Sequence, residues 1–250
     1  MRHAAIPLTA LAACFCGYAG PSAALAQPAT TAAMHAAFLP DRLGANTALT
    51  LTVGFSGGAE GVPAPLRQAT VRLPAGLTID LRGGAICPPS HLRRGGAAGC
   101  PAGSIVGRGH ALADVYAGSL KVPEEATVTV FRGPSHGGLQ TFEIFGQGET
   151  PLYQSVISTA VLQPDSAPYG SKLTVSVPPI PTLALEPDAS IVSVSVTVGG
   201  IGRMPRAHAA AGSIRVPRSC PSGGFPFATA FTFAEGSAAS ASATIPCPTR

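Results

Sequence analysis

Tryptophan is absent from the 250-residue chain and tyrosine occurs only four times. Stacking platforms for sugar rings rely on such aromatic faces, so a glycan-binding role has few handles. Tyr169, in the turn-forming run Ala167-Pro168-Tyr169-Gly170, is its one candidate residue. Charge is scarce as well, at 11% of residues and a formal net charge of +4. Arg93-Arg94 is the only adjacent basic pair, which argues against a nucleic-acid partner or an acidic membrane surface. There is no CxxC or HxxxH spacing and no DxDxDG loop, so neither a metal site nor a cofactor is expected. Beyond the N-terminal segment no apolar run reaches the roughly 18 residues that a membrane-spanning helix needs. No window carries an apolar stripe of period 3.6, so little helix is expected.

The N-terminal segment reads as an export signal. Arg2 and His3 precede a mostly apolar stretch from Ala4 to Gly20, and Ala24-Leu25-Ala26 gives a small-x-small site for cleavage before Gln27. Leu11-Ala12-Ala13-Cys14 is the rival, a site at which a lipoprotein would be cut and acylated. Removal of residues 1–26 takes only Arg2 among the basic side chains and leaves 15 Lys and Arg against 12 Asp and Glu. Residues 27–45, rich in alanine, read as a loose lead-in.

The four cysteines that follow are each succeeded by proline: Cys87-Pro88, Cys100-Pro101, Cys220-Pro221 and Cys247-Pro248. Proline pushes the preceding residue toward an extended conformation, which places each cysteine in a turn or at a strand exit. Proximity favours the pairs Cys87–Cys100 and Cys220–Cys247 among the three connectivities open to four cysteines. Such bridges belong to an oxidising compartment, outside the cell or in its envelope.

From Thr47 onward the dominant period is two. Val192, Val194, Val196 and Val198 alternate with Ser193, Ser195 and Thr197, the pattern of a strand with one buried and one wet face. Leu173, Val175 and Val177 repeat it, as do Val128 and Val130, while 153–162 is apolar on both faces and reads as a central strand. Further strands are expected at 47–55, 68–74, 104–113, 139–146, 226–234 and 239–246. Glycine pairs punctuate them, and Pro178-Pro179-Ile180-Pro181 reads as a rigid crossover. Glu235-Gly236 should turn a C-terminal hairpin flanked by Cys220 and Cys247. The reading is an all-β, antiparallel β-sandwich over 46–250, immunoglobulin-like or jelly-roll-like, as one large or two small sandwiches divided near 136 or 200.

The most enzyme-like stretch is Gly133-Pro134-Ser135-His136-Gly137-Gly138. A serine beside a histidine invites a nucleophile, yet neighbouring side chains in an extended chain diverge, and the glycine and proline content demands a turn. Ser135 and His136 therefore stand as the hydrolase candidates. The other histidines are dispersed; His110 and Asp114 share one strand face. Glu124-Glu125, beside Pro123, reads as a solvated turn.

Two stretches carry a resemblance. One is Leu73-Pro74-Ala75-Gly76-Leu77 with Cys87 and Cys100-Pro101-Ala102-Gly103-Ser104-Ile105-Val106-Gly107; the other runs from Cys220-Pro221-Ser222-Gly223-Gly224 through Phe231-Thr232-Phe233 to Ile245-Pro246-Cys247. Together they resemble a group of exported actinobacterial proteins with β-sandwich modules, paired Cys-Pro motifs and no assigned activity. The resemblance implies export and fold, and brings no catalytic residue with it. The functional expectation is a non-catalytic envelope or extracellular protein, structural or adhesive, with cell-wall or surface components as partners. A secreted serine hydrolase and a glycan-binding module are the alternatives.

Overall fold

The computed structural model describes residues 29–58, 61–81, 83–117, 120–199 and 213–248. The expected signal segment with Cys14 lies outside the described residues, as does His208. The strands are β1 (Thr31–Leu39), β2 (Asn46–Ser56), β3 (Leu66–Pro74), β4 (Thr78–Asp80), β5 (Ile105–Ala117), β6 (Leu120–Arg132), β7 (Thr141–Gly148), β8 (Gln154–Pro164), β9 (Tyr169–Ser176), β10 (Ser190–Gly199), β11 (Ser213–Arg215), β12 (Phe225–Phe233) and β13 (Ala238–Ile245). They form one 13-stranded sheet in the order β13-β12-β3-β9-β8-β7-β6-β5-β10-β2-β11-β4, with β1 on β2. Strands on either side of residue 136 are register partners, and β10 and β11 both pair with β2 across residue 200. The described strands on both sides of each expected division point thus belong to the same sheet.

Alternation of side chains explains why the sheet folds back on itself. Leu49, Leu51, Val53 and Phe55 project from one face of β2, and Phe227, Phe231 and Phe233 project from the corresponding face of β12. These rows meet in two linked cores, where Phe55 contacts Phe231 edge-on at a centroid distance of 4.7 Å. A third core brings Val106, Val130, Phe142 and Ala160 together, with Val196 and Val198 of β10 packed against it. The edge strands β1 and β13 meet through Phe38, Phe225 and Ile245. The opposite face of β2 and β10 is polar: Thr50 bonds Thr197 at 2.8 Å and Thr52 bonds Ser195 at 2.9 Å.

Three local departures from the sequence reading have physical causes. Within the expected loose lead-in, Thr31–Leu39 is a full strand, paired residue for residue with β2. Ala32, Met34, Ala36 and Phe38 supply its inward row, and small alanines suffice where the facing phenylalanines are large. In β10 the register shifts between Ile191 and Ser193, so Ile191 rather than Val192 continues the inward row of Val194, Val196 and Val198. A short helix, α1 (Pro89–Gly95), starts on the proline pair Pro88-Pro89, where a missing N–H is harmless.

That helix belongs to a plug on the outside of the sheet. Cys87 bonds Cys100, and the closed segment lays Leu92 against Phe131, Phe145 and Ile157 on the outward faces of β6, β7 and β8. This covering accounts for the apolar residues on both faces of β8. The second bridge, Cys220–Cys247, spans the feet of the β12–β13 hairpin, whose turn contains Gly236 at φ 85°. Loop-closure entropy predicts about 3 kcal/mol from the shorter bridge and about 3.5 kcal/mol from the longer. Reduction should accordingly lower the midpoint of thermal unfolding, with the Cys220→Ala/Cys247→Ala variant losing at least as much stability as the Cys87→Ala/Cys100→Ala variant. Equal midpoints before and after reduction would contradict the assignment of a structural role to the bridges.

Candidate functional site

The inward rows do not fill the sandwich everywhere. Between the facing walls lies an apolar cavity of about 290 Å³. It exists because small residues coincide: Ala111 is the register partner of Ala126, Ala126 of Gly148, and Val128 of Gly146. Bulkier neighbours, among them Val128, Ile144 and Val196, form the rest of its wall. At ~30 Å³ per water-sized group, it has room for about ten non-hydrogen atoms. Ligand pockets begin near 300 Å³.

Among the described residues, one ionisable side chain lines this cavity. Glu124 lies in β6 in phase with Ala126, Val128 and Val130, and only 5% of it is exposed. Its Oε1 has no hydrogen-bond partner among the described residues. The carboxyl lies against the bare α-carbon of Gly148, where any side chain would collide with Oε1. Burial raises its pKa above the ordinary carboxylate value, and the Leu152 backbone N–H partly opposes the rise. Glu124 is thus a wall residue of an apolar chamber, not part of a solvated turn. Glu125, its neighbour, pairs in register with Leu112 on the opposite face. The period of two was the available signal, and Pro123 concealed it by suggesting a turn.

A second buried carboxyl, Glu143, lies on the outward face under the plug, accepting a hydrogen bond from Thr159 at 2.8 Å. Burial raises its pKa too, with the Thr159 bond and the Arg93 charge opposing. Both groups keep their protons to higher pH in the folded chain than in the unfolded one. Between the ordinary value near 4.5 and the raised folded values, the folded state binds more protons, so stability falls as pH rises through that window. The melting midpoint of Glu124→Gln should therefore depend less steeply on pH across that window than that of the parent chain. Parallel profiles would show that Glu124 is not desolvated in solution.

The sequence candidates lie elsewhere. Gly133-Pro134-Ser135-His136-Gly137 spells the G-x-S-x-G of a nucleophile elbow, but that motif joins a strand to a helix, whereas here it joins β6 to β7. His136 and Leu139 exchange backbone hydrogen bonds of 2.9 Å around Gly137 and Gly138, both at positive φ, a two-residue hairpin turn. Ser135 and His136 are both exposed on this turn. Tyr169 is half-buried, and the Arg72 guanidinium lies over its ring at 5.6 Å. Arg72 is itself held by Asp165 at 3.5 Å. His110 is exposed, and Asp114 pairs with Lys121 at 3.6 Å. No cluster of metal-ligating side chains occurs among the described residues.

The ends of the cavity are set by topology. Glu124 and Gly148 lie near the β5–β6 and β7–β8 connections, and residues 177–189 cross that same end from β9 to β10. Ile180 and Ala189, from this crossover, line the cavity and are joined by a backbone hydrogen bond of 2.8 Å. Arg67 of β3 ties the crossover down through Asp188 at 2.7 Å. Leu120, the first residue of β6, and Tyr153, in the β7–β8 connection, are 64% and 79% exposed. No protein-family model, curated protein or solved structure matches the chain.

Proposed function

We propose that this protein is a non-catalytic binder of an apolar small molecule, held between the walls of its sandwich. The cavity carries the reading. At ~24 cal/mol per Å³, keeping a void of about 290 Å³ costs about 7 kcal/mol. That is comparable with the whole stability of a typical domain, which runs to about 5–15 kcal/mol. A chain that retains small residues at Ala111, Ala126, Gly146 and Gly148 at such a cost is explained by an occupant that fills the space.

Export to the envelope or the extracellular space fits this role. The two bridges favour an oxidising compartment, and none of the described helices is long and apolar enough to cross a membrane. A carrier outside the cytoplasm shields an apolar compound from water and releases it at a surface. Ligand carriage is preferred to a structural or adhesive role because the cavity favours it specifically. It is preferred to hydrolysis because Ser135 and His136 are exposed neighbours on a hairpin turn, and to glycan binding because Arg72 covers one face of Tyr169.

Solvent extraction of protein isolated from its native host, followed by mass spectrometry, tests the proposal. An apolar compound should be recovered at close to one per chain, and adding it back to stripped protein should raise the melting midpoint. Recovery of none, together with no shift on adding any of a panel of alkanes, fatty alcohols and fatty acids, would refute it.

A further inference from the structure

Glu124 makes the chamber selective. We infer that the occupant of the cavity is a hydroxyl-headed apolar compound, an alcohol whose oxygen bonds Glu124 Oε1 while its hydrocarbon fills the space beside Ala126 and Val128. The inference rests on the ligand-binding reading above and adds the headgroup to it.

Three observations support the assignment. Oε1 is a buried oxygen lacking a hydrogen-bond partner among the described residues, at a site 95% removed from solvent by its 5% exposure. Gly148 leaves the space that the carboxyl occupies. Among the described residues the surroundings supply no cation: the register neighbours of Glu124 on β5 and of its inward row on β7 are Ala113 and Gly148, and the other polar side chains lining the cavity are those of Gln154, Ser155 and Ser158. An unpaired buried polar atom is destabilising, so a partner of matching chemistry is favoured.

Hydrogen-bond inventory then decides between headgroups. An ionised carboxylate only accepts, whereas a protonated one presents an O–H that must donate. An ammonium satisfies only the first, and an ester or ketone oxygen only the second. A hydroxyl donates and accepts, and so satisfies Oε1 in either state. It also enters without a net charge, avoiding the desolvation of a second ion in an apolar chamber.

The test is competition against the fluorescent probe naphthalene, itself ten carbon atoms, by nonan-1-ol, n-nonane and nonylamine, each with about the ten non-hydrogen atoms the cavity admits. The readout is the ratio of nonan-1-ol affinity to n-nonane affinity, so that water solubility cancels between variants. In Glu124→Leu this ratio should fall at least tenfold, the fold-change of one hydrogen bond to an ionisable group, with n-nonane affinity retained. An unchanged ratio overturns the inference while leaving the ligand-binding reading intact. If none of the three compounds displaces the probe, or the probe itself does not bind, the reading itself has failed. Should Glu124→Leu not fold, Glu124→Met serves: its unbranched side chain offers no strong hydrogen bond, so the ratio should again fall at least tenfold, and an unchanged ratio overturns the inference. Nonylamine losing more affinity than nonan-1-ol in the parent-to-variant comparison, by tenfold or more, would instead identify a cationic headgroup and overturn the assignment.

Discussion

Truncating Phe225 to alanine is expected to destabilise the fold by about 3–5 kcal/mol, the usual cost of removing a fully buried phenyl ring. Phe225 has no exposed surface and meets Phe38 edge-on at 5.7 Å, opposite its register partner Ile245. It therefore sits at the seam where the edge strands β1 and β13 close on one another. No backbone pairing between those strands holds the seam; side chains do. Urea unfolding should show a lower midpoint at unchanged slope, since the amount of surface exposed on unfolding stays the same. A loss below about 1 kcal/mol would mean that these edge strands are held by something other than this aromatic cluster.

The second large effect is on binding. Ala111→Leu combined with Ala126→Leu adds six carbon atoms at register-paired positions inside a space for about ten. Affinity for naphthalene, whose ten carbon atoms match that space, should drop more than tenfold. Stability should hold or rise, because the added methyls bury apolar surface at ~0.8 kcal/mol per methylene where a void existed. A protein that lost stability while still binding would show the cavity to be already packed in solution and the probe to sit elsewhere. The pair separates occupancy of the chamber from nonspecific hydrophobic adsorption, which leucines in the interior would leave untouched.

Much of the architecture was legible because its signals are local. A period of two survives in single segments, so Leu49–Phe55 or Val194–Val198 announce strands without reference to any partner. The turns were legible from glycine, and the two bridges from proximity along the chain. β1 was obscured because alanine is a poor strand former by propensity; its pairing comes from the tertiary match of small residues to Phe225 and Phe231. Val192 left the inward row through a bulge, which alternation alone does not reveal.

The candidate site was far less legible, for a physical reason. A cavity is a property of which residues face one another, and Ala111, Ala126 and Gly148 become neighbours only through the pairing of β5, β6 and β7. In the sequence each is an ordinary small residue. Glu124 had a visible phase with Ala126 and Val128, but whether that phase points to solvent or to the interior depends on the roll of the whole sheet. Ser135 and His136 attracted attention through chemistry that adjacent positions on a hairpin turn do not assemble.

Intermolecular nuclear Overhauser contacts between the chain's methyl groups and bound nonan-1-ol locate the occupant most directly. Contacts are expected to inward methyls, those of Ala126, Val128, Ile144 and Val196, and none to outward ones such as Ile157. Contacts confined to exterior methyls such as those of Leu120 and Leu185, with the inward set silent, would contradict it.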